Sequence, residues 1–290
     1  MSQPTSQSSG PVHTAASTGY SGSNAANYHS IRPGYPEEVA EYVLQHTLLS
    51  PDNPFHDSAK QQEHILDVGC GTGKWTATLE TLLKRHNLKY ELVAADPVPS
   101  MTAAFAEQLP HIPVHTAAAT ELPFGDEHFD LLTAATAFHW FCDGASVRAL
   151  YRILKPSACF AVVGYDLTVG NDWTQPMQQL LDSFYPHDVP YPKHGHWRRA
   201  LDRAEEERLF EPVVHTVFRE AAVMRTDRAG LVNRFVSASA IAALQEGDRA
   251  RVTEQFNAII DAEERFKGRT EFVMKDDIEV TIVRKFSSSS

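Results

Sequence analysis

Residues 65–75 read Ile65-Leu66-Asp67-Val68-Gly69-Cys70-Gly71-Thr72-Gly73-Lys74-Trp75. An apolar run ends at an acid, three glycines follow at alternate positions, and a helical pattern begins after them. Glycines allow the backbone to turn sharply and let a ligand lie against bare main chain. The N-terminus of the following helix presents unpaired N–H groups to a negatively charged ligand group. The segment therefore predicts a strand, a ligand-binding turn and a helix.

Three nucleotide-site patterns compete for this turn, and spacing separates them. The dinucleotide fingerprint G-x-G-x-x-G requires its third glycine one residue later, where this chain has Lys74. The phosphate loop G-x-x-x-x-G-K-[ST] would match Gly73-Lys74, but Val68 and Trp75 break its flanks. The pattern that remains is D-x-G-x-G-x-G. The alternative interpretation is a glycine turn that joins a strand to a helix and binds nothing.

A second acid, Asp96, ends the next predicted strand, which begins at Tyr90. In nucleotide-binding α/β folds, an acid about 20 residues beyond the glycine turn binds a ribose diol. A carboxylate can accept the hydrogens of both hydroxyl groups. Asp96 is therefore predicted to bind ribose, and the alternative is that it caps the helix that follows Pro97.

The following pattern alternates strands and helices, with strands predicted at 112–117, 129–137 and 158–164 and a helix at 145–154. The apolar fourth strand is typical of a strand covered by helices on both faces. In open α/β sheets, ligands bind beyond the carboxyl ends of the strands. The cluster Phe138-His139-Trp140-Phe141, which follows the fourth strand, is therefore predicted to face the reacting group.

The D-x-G-x-G-x-G turn, the acid of the second strand and Leu154-Lys155-Pro156 together resemble the class I S-adenosylmethionine (SAM)-dependent methyltransferases, in particular those with a type 11 methyltransferase domain. The segment Tyr-x-x-x-Arg-Pro-x-Tyr-Pro at 28–36 and the pair His139-Trp140 resemble the subgroup of trans-aconitate methyltransferase-like enzymes. The resemblance runs from about residue 28 to 166. It implies an α/β fold with a doubly wound, mostly parallel, seven-stranded Rossmann-like sheet, a helical lid insertion, and SAM as the cofactor.

The same resemblance implies roles for individual residues. Tyr28 and Arg32 would close over the amino-acid end of SAM, and Met101 would pack on the adenine face. Relatives commonly carry Asp or Ser where this chain has Ala118, so adenine recognition would depend on Ala119 and Thr120. His139 and Trp140 are the predicted catalytic residues. The predicted cofactor-binding residues are Tyr28, Arg32, Asp67, Gly69, Cys70, Gly71, Gly73, Asp96, Pro97, Met101, Ala119, Thr120 and Ala135.

Two of these assignments have simple alternatives. Arg32 could be a surface arginine on a proline-stiffened linker, and His139 could be a core histidine packed beside Trp140. Cys70 is interpreted as a packing residue. The loop histidines His187, His194 and His196 lack the spacing of a metal site, so no metal is predicted.

Composition defines the remaining expectations. The chain has 290 residues, a formal net charge of −11 and three cysteines without a C-x-x-C pair. These features predict a cytoplasmic protein with a small-molecule substrate and no nucleic-acid or membrane partner; they do not address oligomeric state. The predicted organisation is a disordered tail at 1–26, a SAM-binding core at 27–166, a substrate lid at 167–212, and strands and helices at 213–286 that complete the domain.

The predicted reaction is methylation of a small organic acid or secondary metabolite, on a carboxylate or a hydroxyl group. A carboxylate nucleophile arrives ionised, whereas a hydroxyl or amine needs a base, for which His139 is the candidate. The chain lacks the Asn/Asp-Pro-Pro-Tyr/Phe motif of enzymes that methylate nucleobase or glutamine amino groups. The alternatives are methylation of RNA or protein, and a SAM-binding protein that does not methylate.

Overall fold

The computed structural model describes residues 29, 31–50, 62–166, 174–186 and 189–286, so the predicted tail 1–26 and Tyr28 lie outside the described residues. Within these ranges, seven strands form one sheet in the order β3-β2-β1-β4-β5-β7-β6. The strands are β1 (Glu63–Val68), β2 (Tyr90–Asp96), β3 (Val114–Thr116), β4 (Phe129–Ala135), β5 (Leu154–Asp166), β6 (Phe210–Thr226) and β7 (Phe272–Lys285).

The first five strands are parallel, and β7 runs antiparallel between β5 and β6. From β1 the sheet grows in both directions, with β2 on one side and β4 on the other. A ligand-binding crevice is expected where the strand order reverses in this way. This topology confirms the predicted doubly wound, mostly parallel α/β fold.

The helices lie between these strands along the chain. They are α1 (Glu37–His46), α2 (Lys74–Arg85), α3 (Pro99–Gln108), α4 (Gly144–Ile153), α5 (Gln175–Asp182), α6 (His196–Glu206), α7 (Arg228–Val236), α8 (Ser239–Ala242) and α9 (Glu246–Ala262). Short 3₁₀ helices occur at Ala119–Glu121, Phe138–Trp140, Pro192–His194 and Glu264–Phe266. No helix in the described ranges combines the length and the apolar character needed to cross a bilayer.

Two apolar clusters cover the two faces of the sheet. Successive residues on a strand point to opposite faces, so Ile65 and Leu131 pack in one cluster while Leu66 and Leu132 pack in the other. The first cluster includes buried residues of α1, α2 and α3, and the second includes buried residues of α4 and α6. The carboxyl ends of β1, β2 and β4 are thereby held rigidly at one edge of the sheet.

A third cluster forms a separate helical layer from two stretches of chain. Met177 and Leu181 of α5 pack with Leu231 and Phe235 of α7 and with Phe256 of α9. Neither stretch can bury its apolar side chains alone, and each covers those of the other. The layer is joined to the sheet by Arg234 and Asp276, a buried ion pair with an N–O distance of 3.0 Å.

The helical layer therefore differs from the predicted lid at 167–212. Within that range α6 packs on the sheet through Trp197 and Leu201, and β6 begins at Phe210 instead of Val213. The helical layer instead includes α7 to α9, which follow β6 in sequence. The predicted lid was one continuous stretch of chain, whereas the layer forms between helices that are far apart in the sequence.

Candidate active site

The glycine turn lies at the carboxyl end of β1 and leads into α2. Gly71 has a φ of 53°, and a Cβ atom placed on it would meet nothing within 4 Å. Gly73 has a φ of 88°, and a Cβ atom there would lie 2.9 Å from Cδ2 of Phe105. Gly71 therefore leaves bare backbone beside open space, whereas Gly73 allows α3 to approach the turn closely.

Asp96 joins the second strand to this turn. Its Oδ2 accepts a hydrogen bond from the Gly71 N–H at 3.0 Å, and its Oδ1 accepts one from the Val98 N–H at 2.9 Å. Burial raises the pKa of Asp96 to about 6. The N-cap of α3 is Val98, so Asp96 is not the helix cap that was the alternative interpretation.

A cavity with an empty volume of about 1010 Å³, including its opening, lies against the turn. Its walls come from the turn, the ends of β2 and β4, the 117–119 segment and residues 32–35. The structure brings together on this cavity most of the residues predicted to bind the cofactor, together with one predicted catalytic residue: Arg32, Gly69, Cys70, Gly71, Asp96, Pro97, Met101, Ala119, Ala135 and Trp140.

Three residues predicted to bind the cofactor do not line this cavity. Asp67 is fully buried, where its carboxylate accepts hydrogen bonds from the Thr76 hydroxyl at 2.6 Å and the Thr133 hydroxyl at 3.0 Å. Gly73 packs against Phe105, and Thr120 is exposed on its 3₁₀ helix. Asp67 thus fixes the start of the turn to α2 and β4, and burial raises its pKa to about 6.

Several residues on the cavity were not assigned a role from the sequence. Tyr35 stacks on Tyr165 with ring centroids 5.1 Å apart and meets Trp75 edge to face at 5.3 Å. The Tyr35 hydroxyl lies 2.8 Å from the Thr136 hydroxyl, and the Tyr165 hydroxyl donates to the Pro33 carbonyl at 2.9 Å. Tyr35 lies in the 28–36 segment and Trp75 in the 65–75 segment, both of which contain sequence motifs. Tyr165 and Thr136 belong to no motif.

The residues that precede α1 also reach the glycine turn. Nδ1 of His29 lies 2.9 Å from the Thr72 hydroxyl. Burial, together with the charge of Lys74, lowers the pKa of His29. With the Tyr35 and Tyr165 contacts, this bond fastens the segment that precedes α1 over the cavity at more than one point.

His139 lies on a second cavity with an empty volume of about 620 Å³, including its opening. The ring is 8% exposed, and burial lowers its pKa to about 3, so the imidazole is neutral near pH 7. The two cavities share Thr136, Ala137 and Tyr165 as lining residues, so they adjoin at the end of β4. Trp140 lines the first cavity and His139 the second, which separates the two predicted catalytic residues.

The first cavity fits SAM. The indole Nε1 of Trp75 is buried and has no hydrogen-bond partner among the described residues, so it can donate to a ligand. The Asp96 carboxylate uses two of its roughly four acceptor positions on described residues and retains capacity for a ribose diol. Met101 and Val98 supply an apolar surface, and Arg32 supplies a cation. In the described part of the chain, no group of three or more His, Cys, Asp or Glu side chains could hold a metal.

The comparisons with known proteins agree with this geometry. A methyltransferase domain family matches residues 65–157. An uncharacterized methyltransferase-like protein of Schizosaccharomyces pombe is 26% identical over 182 residues, which cover 59% of this chain and 65% of that protein. A ubiquinone/menaquinone biosynthesis C-methyltransferase of Proteus mirabilis is 28% identical over 138 residues, which cover 45% of this chain and 52% of that protein.

A solved structure shows the same fold at low identity. It is described as a putative type II methyltransferase from Anaeromyxobacter dehalogenans, with a TM-score of 0.61 and 19% identity, and the match covers 88% of this chain and 97% of that one. The matched part of the chain thus spans less than two thirds of the length of the two relatives described above. The likeness of fold to the solved structure extends over most of this chain.

Proposed function

We propose that the protein is a class I SAM-dependent methyltransferase that transfers a methyl group to the carboxylate of a small organic acid, forming a methyl ester. The observation that carries the proposal is the pair of adjoining cavities, one fitted to SAM and the other lined by a buried, neutral His139. The methyl donor would lie in the first cavity, and the acceptor would reach it from the second.

When bound, SAM supplies a methyl group that is electrophilic because it is attached to a positively charged sulfur. The chain must hold that group still, present a nucleophile in line behind it, and exclude water. In this proposal the Asp96 carboxylate, held by Gly71, binds the ribose, and Arg32 pairs with a carboxylate in bidentate fashion. Trp75 and Tyr165 are 2% and 7% exposed, so they form a packed aromatic wall in this part of the site.

The state of His139 favours a carboxylate acceptor. A general base works best when its pKa lies near the operating pH, and burial leaves His139 with a pKa of about 3. No acid among the described residues contacts the imidazole ring to raise that value. A carboxylate nucleophile is already ionised near pH 7 and requires no proton removal.

Charge and enclosure support a small molecule over a macromolecule. The formal net charge of −11 opposes a broad grip on nucleic acid, which needs clustered Lys and Arg. The second cavity lies between the sheet and the α6 segment, with Phe138, Trp197 and Pro192 in its wall. Such a site suits a compact acceptor better than an extended polymer.

A second candidate is methylation of carbon on a small molecule. It is favoured by the likeness to the Proteus mirabilis protein, which is named as a C-methyltransferase. In that case the second cavity of this chain would have to activate a carbon nucleophile, and this step requires removal of a proton. His139, with its low pKa, is poorly suited to remove one.

The test of the acceptor class uses methyl-labelled SAM with the purified protein, a panel of small acids, alcohols and amines, and a metabolite extract. The proposal expects label in solvent-extractable product, with acids as the preferred acceptors. Label confined to acid-precipitable RNA or protein would contradict it. Absence of transfer by a protein that binds S-adenosylhomocysteine (SAH) would also contradict it and favour a non-methylating role.

A further inference from the structure

We propose that the second cavity is the acceptor pocket and that Lys193 and Arg198 bind an anionic group of the acceptor there. This inference rests on the proposed function, since it names the residues that recognise the acceptor. Both side chains line the cavity, together with Glu279 and His139. In this proposal the anionic group is a carboxylate, as in the proposed function.

Lys193 is held in place by Asp182 of the helical layer. Its Nζ lies 3.0 Å from Oδ2 of Asp182, while Oδ1 of the same carboxylate accepts from the Tyr191 hydroxyl at 3.0 Å and from Nε2 of Gln178 at 2.7 Å. The Tyr191 ring in turn stacks on Tyr185 at 4.1 Å. An ammonium has three donors, and among the described residues only the Asp182 bond uses one. Lys193 is therefore positioned and retains donors for a ligand.

Arg198 approaches the cavity from the first turn of α6. Its Nε donates to Oε1 of Glu279 at 3.1 Å, and Nη2 donates to Oε2 of the same carboxylate. This bidentate bond fixes the guanidinium plane, which also lies 4.7 Å from the Trp197 ring centroid. The Nη1 group makes no hydrogen bond to the described residues and remains available to an acceptor.

Two further features suit an anion bearing an apolar body. The N-terminus of α6 follows Gly195 and has no side-chain cap, so the positive end of the helix lies beside Trp197 and Arg198. His139 is more than nine-tenths buried and makes no ring hydrogen bond within the described part of the chain, so it can bond a ligand oxygen. Phe138 and Trp197 supply apolar wall.

The wall of the cavity carries two cations, Lys193 and Arg198, one anion, Glu279, and the neutral His139. Each cation is paired with one carboxylate, Lys193 with Asp182 and Arg198 with Glu279. An acceptor carboxylate would therefore bind through the N–H donors that these pairs leave unused, which a cationic ligand could not accept.

The test measures binding of matched acid and amide pairs to the SAH-loaded full-length protein by calorimetry. The probes are octanoate with octanamide, 4-phenylbutyrate with 4-phenylbutyramide, and adipate with adipamide. The proposal expects at least one acid to bind about tenfold or more tightly than its amide, because a hydrogen bond to a charged group is lost in the amide. Lys193→Met should abolish that preference, and Lys193→Arg should retain it.

Matched controls separate this inference from the proposed function. Lys267→Met removes a surface lysine that pairs with Glu264, and it should leave every affinity unchanged. SAH affinity should be unchanged in all variants. Equal binding, or no binding, of acids and amides to the wild-type protein would overturn the inference, as would an acid preference that survives Lys193→Met. Failure of the wild-type protein to bind SAH would instead contradict the proposed function.

Discussion

The carboxylate of Asp96 accepts a hydrogen bond from the backbone N–H of Gly71 at 3.0 Å. The bond joins the end of β2 to the turn after β1, two segments that the sequence singled out separately. Because the second oxygen of Asp96 is fixed by Val98, the carboxylate has a defined orientation at the edge of the cavity. The ribose assignment depends on this geometry.

Replacing Asp96 by Asn tests that assignment. The amide keeps the side-chain shape but loses the charge and one acceptor oxygen, so SAH affinity should fall by about 10- to 100-fold, the loss expected for hydrogen bonds to a charged group. Calorimetric titration measures the affinity, and a thermal melt controls for folding. Wild-type affinity in a folded Asp96→Asn variant would remove Asp96 from the ribose site.

The raised pKa of Asp96 predicts that SAH affinity depends on pH. In the free protein its pKa is about 6, and ribose hydroxyls that donate to the ionised form would lower it in the complex. Affinity should therefore be full above about pH 6 and fall by up to about tenfold per pH unit below it. Asp67 titrates in the same range but does not line the cavity. It is unchanged in Asp96→Asn, so any effect of Asp67 would appear in the variant as well as in the wild type. Titrations of wild type and Asp96→Asn from pH 5 to 8 should show the dependence in the wild type alone; the same slope in both would assign it to another group.

The two glycines of the turn should respond differently to alanine. Gly71→Ala adds left-handed backbone strain of about 1–2 kcal/mol and places a methyl group beside the cavity, so it should reduce SAH binding more than stability. Gly73→Ala adds a clash with Phe105 and Leu109, so overpacking of about 1–3 kcal/mol adds to the strain. Urea unfolding should show the larger stability loss for Gly73→Ala. The reverse ranking would contradict the division between an open glycine and a packing glycine.

His139 should act as a polar contact and not as a base. With a pKa of about 3 it is neutral across the working range, so the rate with a carboxylate acceptor, measured at saturating SAM, should show no step near pH 6.5. His139→Ala should slow that reaction by less than about tenfold, whereas loss of a general base costs roughly 10²- to 10⁴-fold. His139→Gln, which keeps a hydrogen-bonding group, should be closer to the wild type. A loss of more than about 100-fold with a carboxylate acceptor would show that His139 does remove a proton.

Much of the fold and of the cofactor cavity could be predicted because the informative residues are local in sequence. Gly71 lies in a contiguous motif, and Asp96 ends a recognisable strand, so sheet topology alone brings them together. Asp67 was predicted to bind the cofactor, but its carboxylate lies outside the cavity, since a motif shows that an acid is present but not where its side chain points. Packing against α2 and β4 turns that carboxylate toward Thr76 and Thr133.

The acceptor side was less predictable because its residues meet only in the folded chain. Lys193 follows α5, Arg198 lies on α6, and Glu279 lies on β7, and no motif connects them. The helical layer was hard to predict for the same reason, since α5 and α7 are separated in sequence by α6, which packs on the sheet, and by the long strand β6. Likewise, Tyr165 lies one residue beyond the strand predicted at 158–164, and its stacking on Tyr35 requires the segment before α1 to fold back over the sheet.

The measurement that tests the account most directly is release of labelled methanol from the product by mild base. The purified protein is incubated with methyl-labelled SAM and the acid panel, the small-molecule product is extracted, and the extract is treated with dilute hydroxide. Esterification of a carboxylate predicts that the label becomes volatile, because base hydrolyses a methyl ester. Label that stays in the product after base would show methylation of a hydroxyl oxygen, nitrogen or carbon and would contradict the proposed ester chemistry.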